Sequence, residues 1–202
     1  MQKTVQFYLA SKSPRRRELL ARWGANFEVL VNPSEEVSEE QLAGEAPIDY
    51  VNRVAREKAL SVDSYIQSSG LPRLPVIASD TIVELAGEIL RKPLDREEAF
   101  ETLQKLSGRT HRVISSVAVI DQNRHLLQDL SISTVVFRPI TSQEIKEYIA
   151  TGEPMDKAGA YAIQGGASKF VSSFNGSYSG IVGLPKLVTF SLLKKCEITL
   201  SS

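Results

Sequence analysis

The chain has 202 residues, 42% apolar and 24% charged, values ordinary for a folded water-soluble protein with room for one sizeable core. Its 24 lysines and arginines balance 24 aspartates and glutamates, so no global field draws it to nucleic acid or an anionic membrane, and phosphate recognition requires a local basic site. Cys196, the only cysteine, excludes an internal disulfide, and no signal-peptide pattern or membrane-spanning apolar run is present, so a cytoplasmic protein is expected.

The apolar run at residues 5–10 predicts a strand, and Glu18, Leu19, Leu20, Ala21 and Trp23 predict a helix close behind it. Between them lies Ser11-Lys-Ser-Pro-Arg-Arg-Arg17. Ser13 suits the N-cap and Pro14 the first helical position, where a missing N–H costs nothing and φ is already helical. Arg15 and Arg16 then fall in the first turn, which disfavours cations by about 0.3–1 kcal/mol. Guanidiniums crowded onto a positive helix end, beside free N–H groups, call for an anion. A basic cluster after a strand is usually a solvated turn, and this one is neither a G-x-x-x-x-G-K-[ST] loop nor a G-x-G-x-x-G turn. The convergence of Ser11, Ser13, Arg15 and Arg16 tips the reading towards a phosphate cradle.

Gly24 is a good helix-ending residue, and residues 27–31 read as a second strand. An acidic loop at 32–44 holds Glu35, Glu36, Glu39 and Glu40. A long helix follows over 47–68, with Tyr50, Val51, Val54, Val62 and Tyr65 on its apolar face. Residues 74–78 read as a buried strand, and 82–85 with 88–90 as a hairpin around Ala86-Gly87. Leu94-Asp95 leads into a helix through Leu106, closed by Ser107-Gly108, and two β-rich stretches follow, 111–121 and 126–138. Thr141 and Glu144 form a capping box for a helix to about 151, and a last helix covers 184–195. Early alternation of strand and helix, with an antiparallel middle, predicts an α/β fold around a mixed sheet.

Asp80 interrupts apolar runs on both sides, and burying a carboxylate is costly unless it is paired, hydrogen-bonded or metal-bound. A lone acid of this kind usually caps a turn. Here Ser79 and Thr81 flank it and no glycine or proline adjoins it, which favours a functional role. Lys58 lies four residues from both Val54 and Val62, on the buried helix face. Alone it would be read as snorkelling to water. His111 and His125 stand apart and support no His/Cys metal site.

These stretches resemble the Maf family of nucleotide pyrophosphatases. Ala10, Ser11, Ser13, Pro14, Arg15, Arg16, Glu18, Leu19 and Leu20 match its A-S-x-S-P-R-R-x-E-L-L signature. Ser79-Asp80-Thr81 matches its (S/A)-D-T motif, Arg56-Glu-Lys-Ala59 its R-x-x-K-A segment and Lys92-Pro93 its K-P. Asn175 to Pro185 resembles G-S-Y-x-x-V-V-G-L-P. Asp156 to Gly165 looks like the D-K-A-G-A-Y-x-I-Q-G of the branch that hydrolyses dTTP and UTP. The matches run from Leu9 to Pro185.

The resemblance implies an elongated mixed sheet flanked by helices, forming two lobes of a single domain with a central cleft. It implies hydrolysis of dTTP and UTP to monophosphate and pyrophosphate, which clears nucleotide pools, and an association with arrest of septum formation. Asp80 would be the catalytic base. Ser11, Ser13, Arg15, Arg16, Lys58, Thr81 and Lys92 would bind substrate. Gln164, with one donor and one acceptor, can match a pyrimidine edge. The family's acidic pair falls on Glu35 and Glu36, of which Glu36 matches. Glu36 and Asp80 with a triphosphate suit Mg²⁺ or Mn²⁺. The rival reading is a nucleotide-binding regulator of cell division with vestigial hydrolysis; the intact aspartate speaks against it. The expected partner is a nucleoside triphosphate, with no nucleic acid and no membrane, and homodimerisation is left open.

Overall fold

A computed structural model of the chain describes residues 4–200. Its elements, in chain order, are β1 (Phe7–Leu9), α1 (Pro14–Arg22), β2 (Phe27–Val29), α2 (Pro47–Ser68), β3 (Val76–Leu85), β4 (Glu88–Leu90) and α3 (Arg96–Leu106). There follow β5 (Thr110–Ile120), β6 (Leu126–Phe137), α4 (Ser142–Ala150), β7 (Val171–Asn175), α5 (Tyr178–Val182) and α6 (Lys186–Lys195), with three 3₁₀ turns between α4 and β7. One seven-stranded mixed sheet runs β2-β1-β3-β5-β6-β7, with β4 paired to the far half of β3. The β2, β1 and β3 strands are parallel, and the pairings of β3 with β4 and β5, of β5 with β6 and of β6 with β7 are antiparallel. The expected α/β architecture is present.

β3 organises the molecule because its two faces meet different layers. Side chains alternate along a strand. Val76 and Ala78 pack with Ala55, Ala59, Val62 and Ile66 of α2, whereas Ile77 packs with Leu20 of α1 and Leu192 and Leu193 of α6. Further along, Val83 and Leu85 join Leu103 and Leu106 of α3 and Ile145 and Tyr148 of α4. Each such aliphatic burial stabilises the fold by about 1.5–3 kcal/mol. Between these clusters the strand carries Ser79, Asp80 and Thr81. Asp80 shares the face that meets α2, and Ser79 and Thr81 share the other.

The sequence reading separated 74–78 from 82–85. The structure joins them in one ten-residue strand, with Asp80 opposite Ser116 and Thr81 opposite Ser115 on β5. The backbone ladder runs through polar side chains undisturbed when no proline or glycine breaks it. β7 was not anticipated as a strand. It is five residues at the sheet edge with mostly exposed side chains, so it shows no alternation.

His111 is 2% exposed, with Nε2 2.8 Å from the Tyr161 hydroxyl, Phe137 edge-on, and Nδ1 without a partner among the described residues. Burial pushes its pKa down to about 4. The ring is therefore neutral when folded, while the unfolded chain takes up a proton at about 6.5. Its contribution is intact above that pH and is lost as pH falls towards 4, by up to roughly 3 kcal/mol. Urea unfolding of wild type and His111→Gln at steps between pH 7 and 4 checks this: the wild-type stability should fall more steeply, and parallel slopes would exclude His111 as the source.

Candidate active site

A cleft of about 1140 Å³ is walled by the β1–α1 turn, the acidic loop, the inner face of α2, the middle of β3, the residues after β4 and the segments around Asp156 and Val182. Ser11, Ser13, Arg15, Arg16, Glu36, Lys58, Asp80, Thr81 and Lys92 all line it. Gln164 is not brought into the wall: it is exposed, and the side chains flanking that step of the loop, Tyr161 and Ile163, are the ones that face the cleft.

The basic turn forms as its residues dictate. Ser13 occupies the N-cap with extended backbone and Pro14 the first turn, but the Ser13 side chain makes no capping bond, and α1 has no acid in its first turn. The helix end therefore keeps its positive character towards the cleft. The Ser11 hydroxyl oxygen accepts from the Ser13 N–H at 3.2 Å and from Arg16 Nη1 at 3.1 Å.

The two arginines have different roles in the structure. Arg16 donates Nε to the Gly183 carbonyl at 2.9 Å and Nη2 to Thr81 Oγ1 at 3.4 Å, besides its bond to Ser11. Ser79 Oγ donates to the same carbonyl at 3.1 Å. Arg16 thus ties the N-terminal turn to β3 and to the loop before α6. Arg15 makes no hydrogen bond among the described residues; burial pulls its pKa down, and Asp156 and Glu153 oppose that pull. Thr81 is committed inward. Ser115 donates to the Gly180 carbonyl at 2.7 Å, so in the 2.7 Å Thr81–Ser115 contact Thr81 is the donor, and its oxygen is left to accept.

Lys58 reaches across from α2, with Nζ 2.8 Å from Asp80 Oδ1 and 2.5 Å from Glu39 Oε1. Lys92 Nζ lies 3.7 Å from the other oxygen of Glu39. Burial pushes the Glu39 carboxyl up, but Lys58, Lys92 and Arg16 outweigh it and hold the pKa below its usual value. The loop bearing Glu39 is clamped to α2. Tyr50 donates its hydroxyl to the Glu39 carbonyl and Arg53 donates Nη2 to the Glu40 carbonyl, each at 2.8 Å, while Glu45 fixes Arg53. Of the acidic pair, Glu35 accepts from Ser61 Oγ at 3.0 Å, and Glu36 is exposed at the cleft.

Sequence reasoning missed Glu39, Arg91, Lys157 and Tyr50 as cleft residues. Arg91 adjoins the Lys92-Pro93 motif and Lys157 lies inside the Asp156–Gly165 motif, so both were within reach of the motifs themselves. Nothing in an acidic loop marks one glutamate as the one that turns inward.

The arginines can be told apart by stability. Arg16→Ala removes donors from Gly183, Ser11 and Thr81 and should cost roughly 1–3 kcal/mol. Arg15→Ala should leave stability unchanged or raise it by up to about 1 kcal/mol, because a cation leaves a positive helix end. Denaturant melts of both variants decide, and equal destabilisation would contradict the division of roles.

The family model of Maf-like proteins matches residues 6–196. A relative from Dechloromonas aromatica (strain RCB) is 47% identical over 196 residues, covering 95% of this chain and 97% of the relative. One from Escherichia coli O157:H7 is 49% identical over 189 residues, covering 94% and 92%, and one from Cupriavidus metallidurans is 49% identical over 203 residues, covering 96% and 98%. All three are named dTTP/UTP pyrophosphatase. Sharing nearly half its residues with such relatives along almost its full length, the chain belongs to the family of Maf-like proteins.

Proposed function

We infer that this chain is a nucleoside triphosphate pyrophosphatase, hydrolysing dTTP and UTP to the monophosphate and pyrophosphate. The observation that carries the reading is a buried carboxylate, Asp80, held by Lys58 at the centre of a cleft lined with Arg15, Lys58, Arg91 and Lys92. The names borne by close relatives give the substrates.

The chemistry assigns a role to each group. The α1 N-terminus and Arg15 bind phosphate oxygens, and Arg16 keeps that turn against β3. Asp80 orients a water and takes its proton as the water oxygen attacks the α-phosphorus. The bond from that phosphorus to the bridging oxygen breaks, and pyrophosphate leaves against Lys58 and Lys92, whose charges favour the departing anion more than the ground state. The proton on Asp80 then passes to solvent.

Among the described residues no group of three or more His, Cys, Asp or Glu side chains forms a metal cage. Asp80 and Glu36 are hard oxygen donors on one cleft, a set that fits Mg²⁺ or Mn²⁺ held largely by phosphate oxygens and water. When bound, such an ion supplies charge neutralisation at the phosphate chain. The lone cysteine suits the cytoplasm. No helix among the described residues is long and apolar enough to cross a membrane.

Asp80→Asn should keep the fold and lower kcat on dTTP by about 10²–10⁴-fold. Pyrophosphate release from dTTP, UTP, CTP, dATP and GTP tests both this and the activity. A variant retaining more than about a tenth of the wild-type kcat would remove Asp80 from the role of base.

We assign reading of the base to Gln164, whose exposed amide makes no hydrogen bond among the described residues and adjoins cleft-lining Ile163. Gln164→Glu replaces a donor with a second acceptor facing a pyrimidine carbonyl. kcat/KM for dTTP and UTP should fall at least about tenfold more than for the other three triphosphates; a site built around such a bond can discriminate by up to about 10⁴-fold. A uniform fall across the panel would make Gln164 a loop residue only.

A further inference from the structure

Glu39 is the one acid of the loop whose side chain bridges two cationic groups of the phosphate end of the cleft, and the mechanism above leaves it without a task. Its two carboxylate oxygens are divided between Lys58, at 2.5 Å, and Lys92, at 3.7 Å. Those ammoniums are the ones placed against departing pyrophosphate. A carboxylate and a phosphate compete for the same donors, because both present paired anionic oxygens to N–H groups.

The two carboxylates on Lys58 differ in how easily they can leave it. The Asp80 side chain is 11% exposed and stands on the central strand, so it has little solvent to turn into. The Glu39 side chain is 45% exposed, and its backbone is held by the bonds from Tyr50 and Arg53. Turning about its own side-chain torsions moves the Glu39 carboxylate into solvent while the loop stays where it is. Tethering also keeps it at high effective concentration, ready to return.

We propose that Glu39 is a tethered counter-anion of the phosphate subsite: it holds Lys58 and Lys92 between turnovers, yields them to the phosphate chain, and takes them back as pyrophosphate leaves. It is a positioning residue, acting through the two lysines, and it limits how tightly the product is kept. The proposal rests on the nucleotide reading for its biological sense. Its physical content, competition between one carboxylate and a polyphosphate, does not depend on which nucleotide is cleaved.

The test uses inorganic pyrophosphate as the probe. Calorimetric titration of the full chain should show Glu39→Gln binding pyrophosphate about three- to tenfold tighter than wild type, the gain expected from removing a part-exposed competing ion pair. In steady state the same variant should show a lower KM for dTTP, stronger inhibition by added pyrophosphate and a lower kcat, since product release slows. A purely structural glutamate would lower Tm and weaken binding instead. Glu39→Ser serves as a second variant should Glu39→Gln fold poorly. Equal or weaker pyrophosphate binding by the folded variants overturns the proposal. Absence of pyrophosphate release from every triphosphate, with the tighter binding still seen, would overturn the assigned activity and leave the role of Glu39 standing.

Discussion

The carbonyl oxygen of Gly183 accepts from Arg16 and Ser79, and the cleft depends on that convergence. Arg16 and Gly183 are 167 residues apart in sequence. Pairing of β1 with β3 sets the β1–α1 turn beside the middle of β3, and the bond ties the segment before α6 to that junction. A carbonyl has two lone pairs, so the site is close to saturated, and a desolvated guanidinium is costly unless so met. The interaction uses one arginine of the basic turn as scaffold, while Arg15 makes no hydrogen bond among the described residues.

The second constraint is electrostatic. The chain carries no net charge, yet cations collect on one cleft. They are tolerable there because acids are interleaved with them: Asp80 and Glu39 on Lys58, Glu39 on Lys92, and Asp156 beside Arg15 and Lys157. Such a site is balanced but not sealed. Some pairings are deep and permanent, others shallow and exchangeable, and that gradient distinguishes a cleft that turns over an anion from one that merely holds it.

Much of this could be read from the residues. The bounds of α2, Pro47–Ser68, follow from a proline suited to the first turn and a strict apolar stripe, and the capping box of Thr141 and Glu144 is present as expected. Lys58 on the buried face of α2 does meet Asp80. The polar run Ser79-Asp80-Thr81 interrupts the apolar signal of β3, although the backbone ladder to β5 is indifferent to side-chain polarity. β7 was missed because an edge strand has little to bury. Glu39 could not be singled out, since its direction is set by Tyr50 and Arg53 acting on the loop backbone. Gln164 belongs to a recognisable motif, but a motif states identity and spacing, not which way an amide turns.

The antiparallel half of the sheet has a temporal implication. β3, β4, β5 and β6 are joined by hairpins and near neighbours, so they pair with little loop closure, whereas the contact of Arg16 with Gly183 closes nearly the whole polypeptide. During synthesis, a nascent chain extended only through α4 already possesses Lys58 on α2 and Asp80 on β3, but not the carbonyl to which Arg16 is tied. Such a chain can fold its middle while still on the ribosome, before Arg16 has its partner at Gly183. The tie between the basic turn and the C-terminal segment is therefore made late, when the segment carrying Gly183 docks.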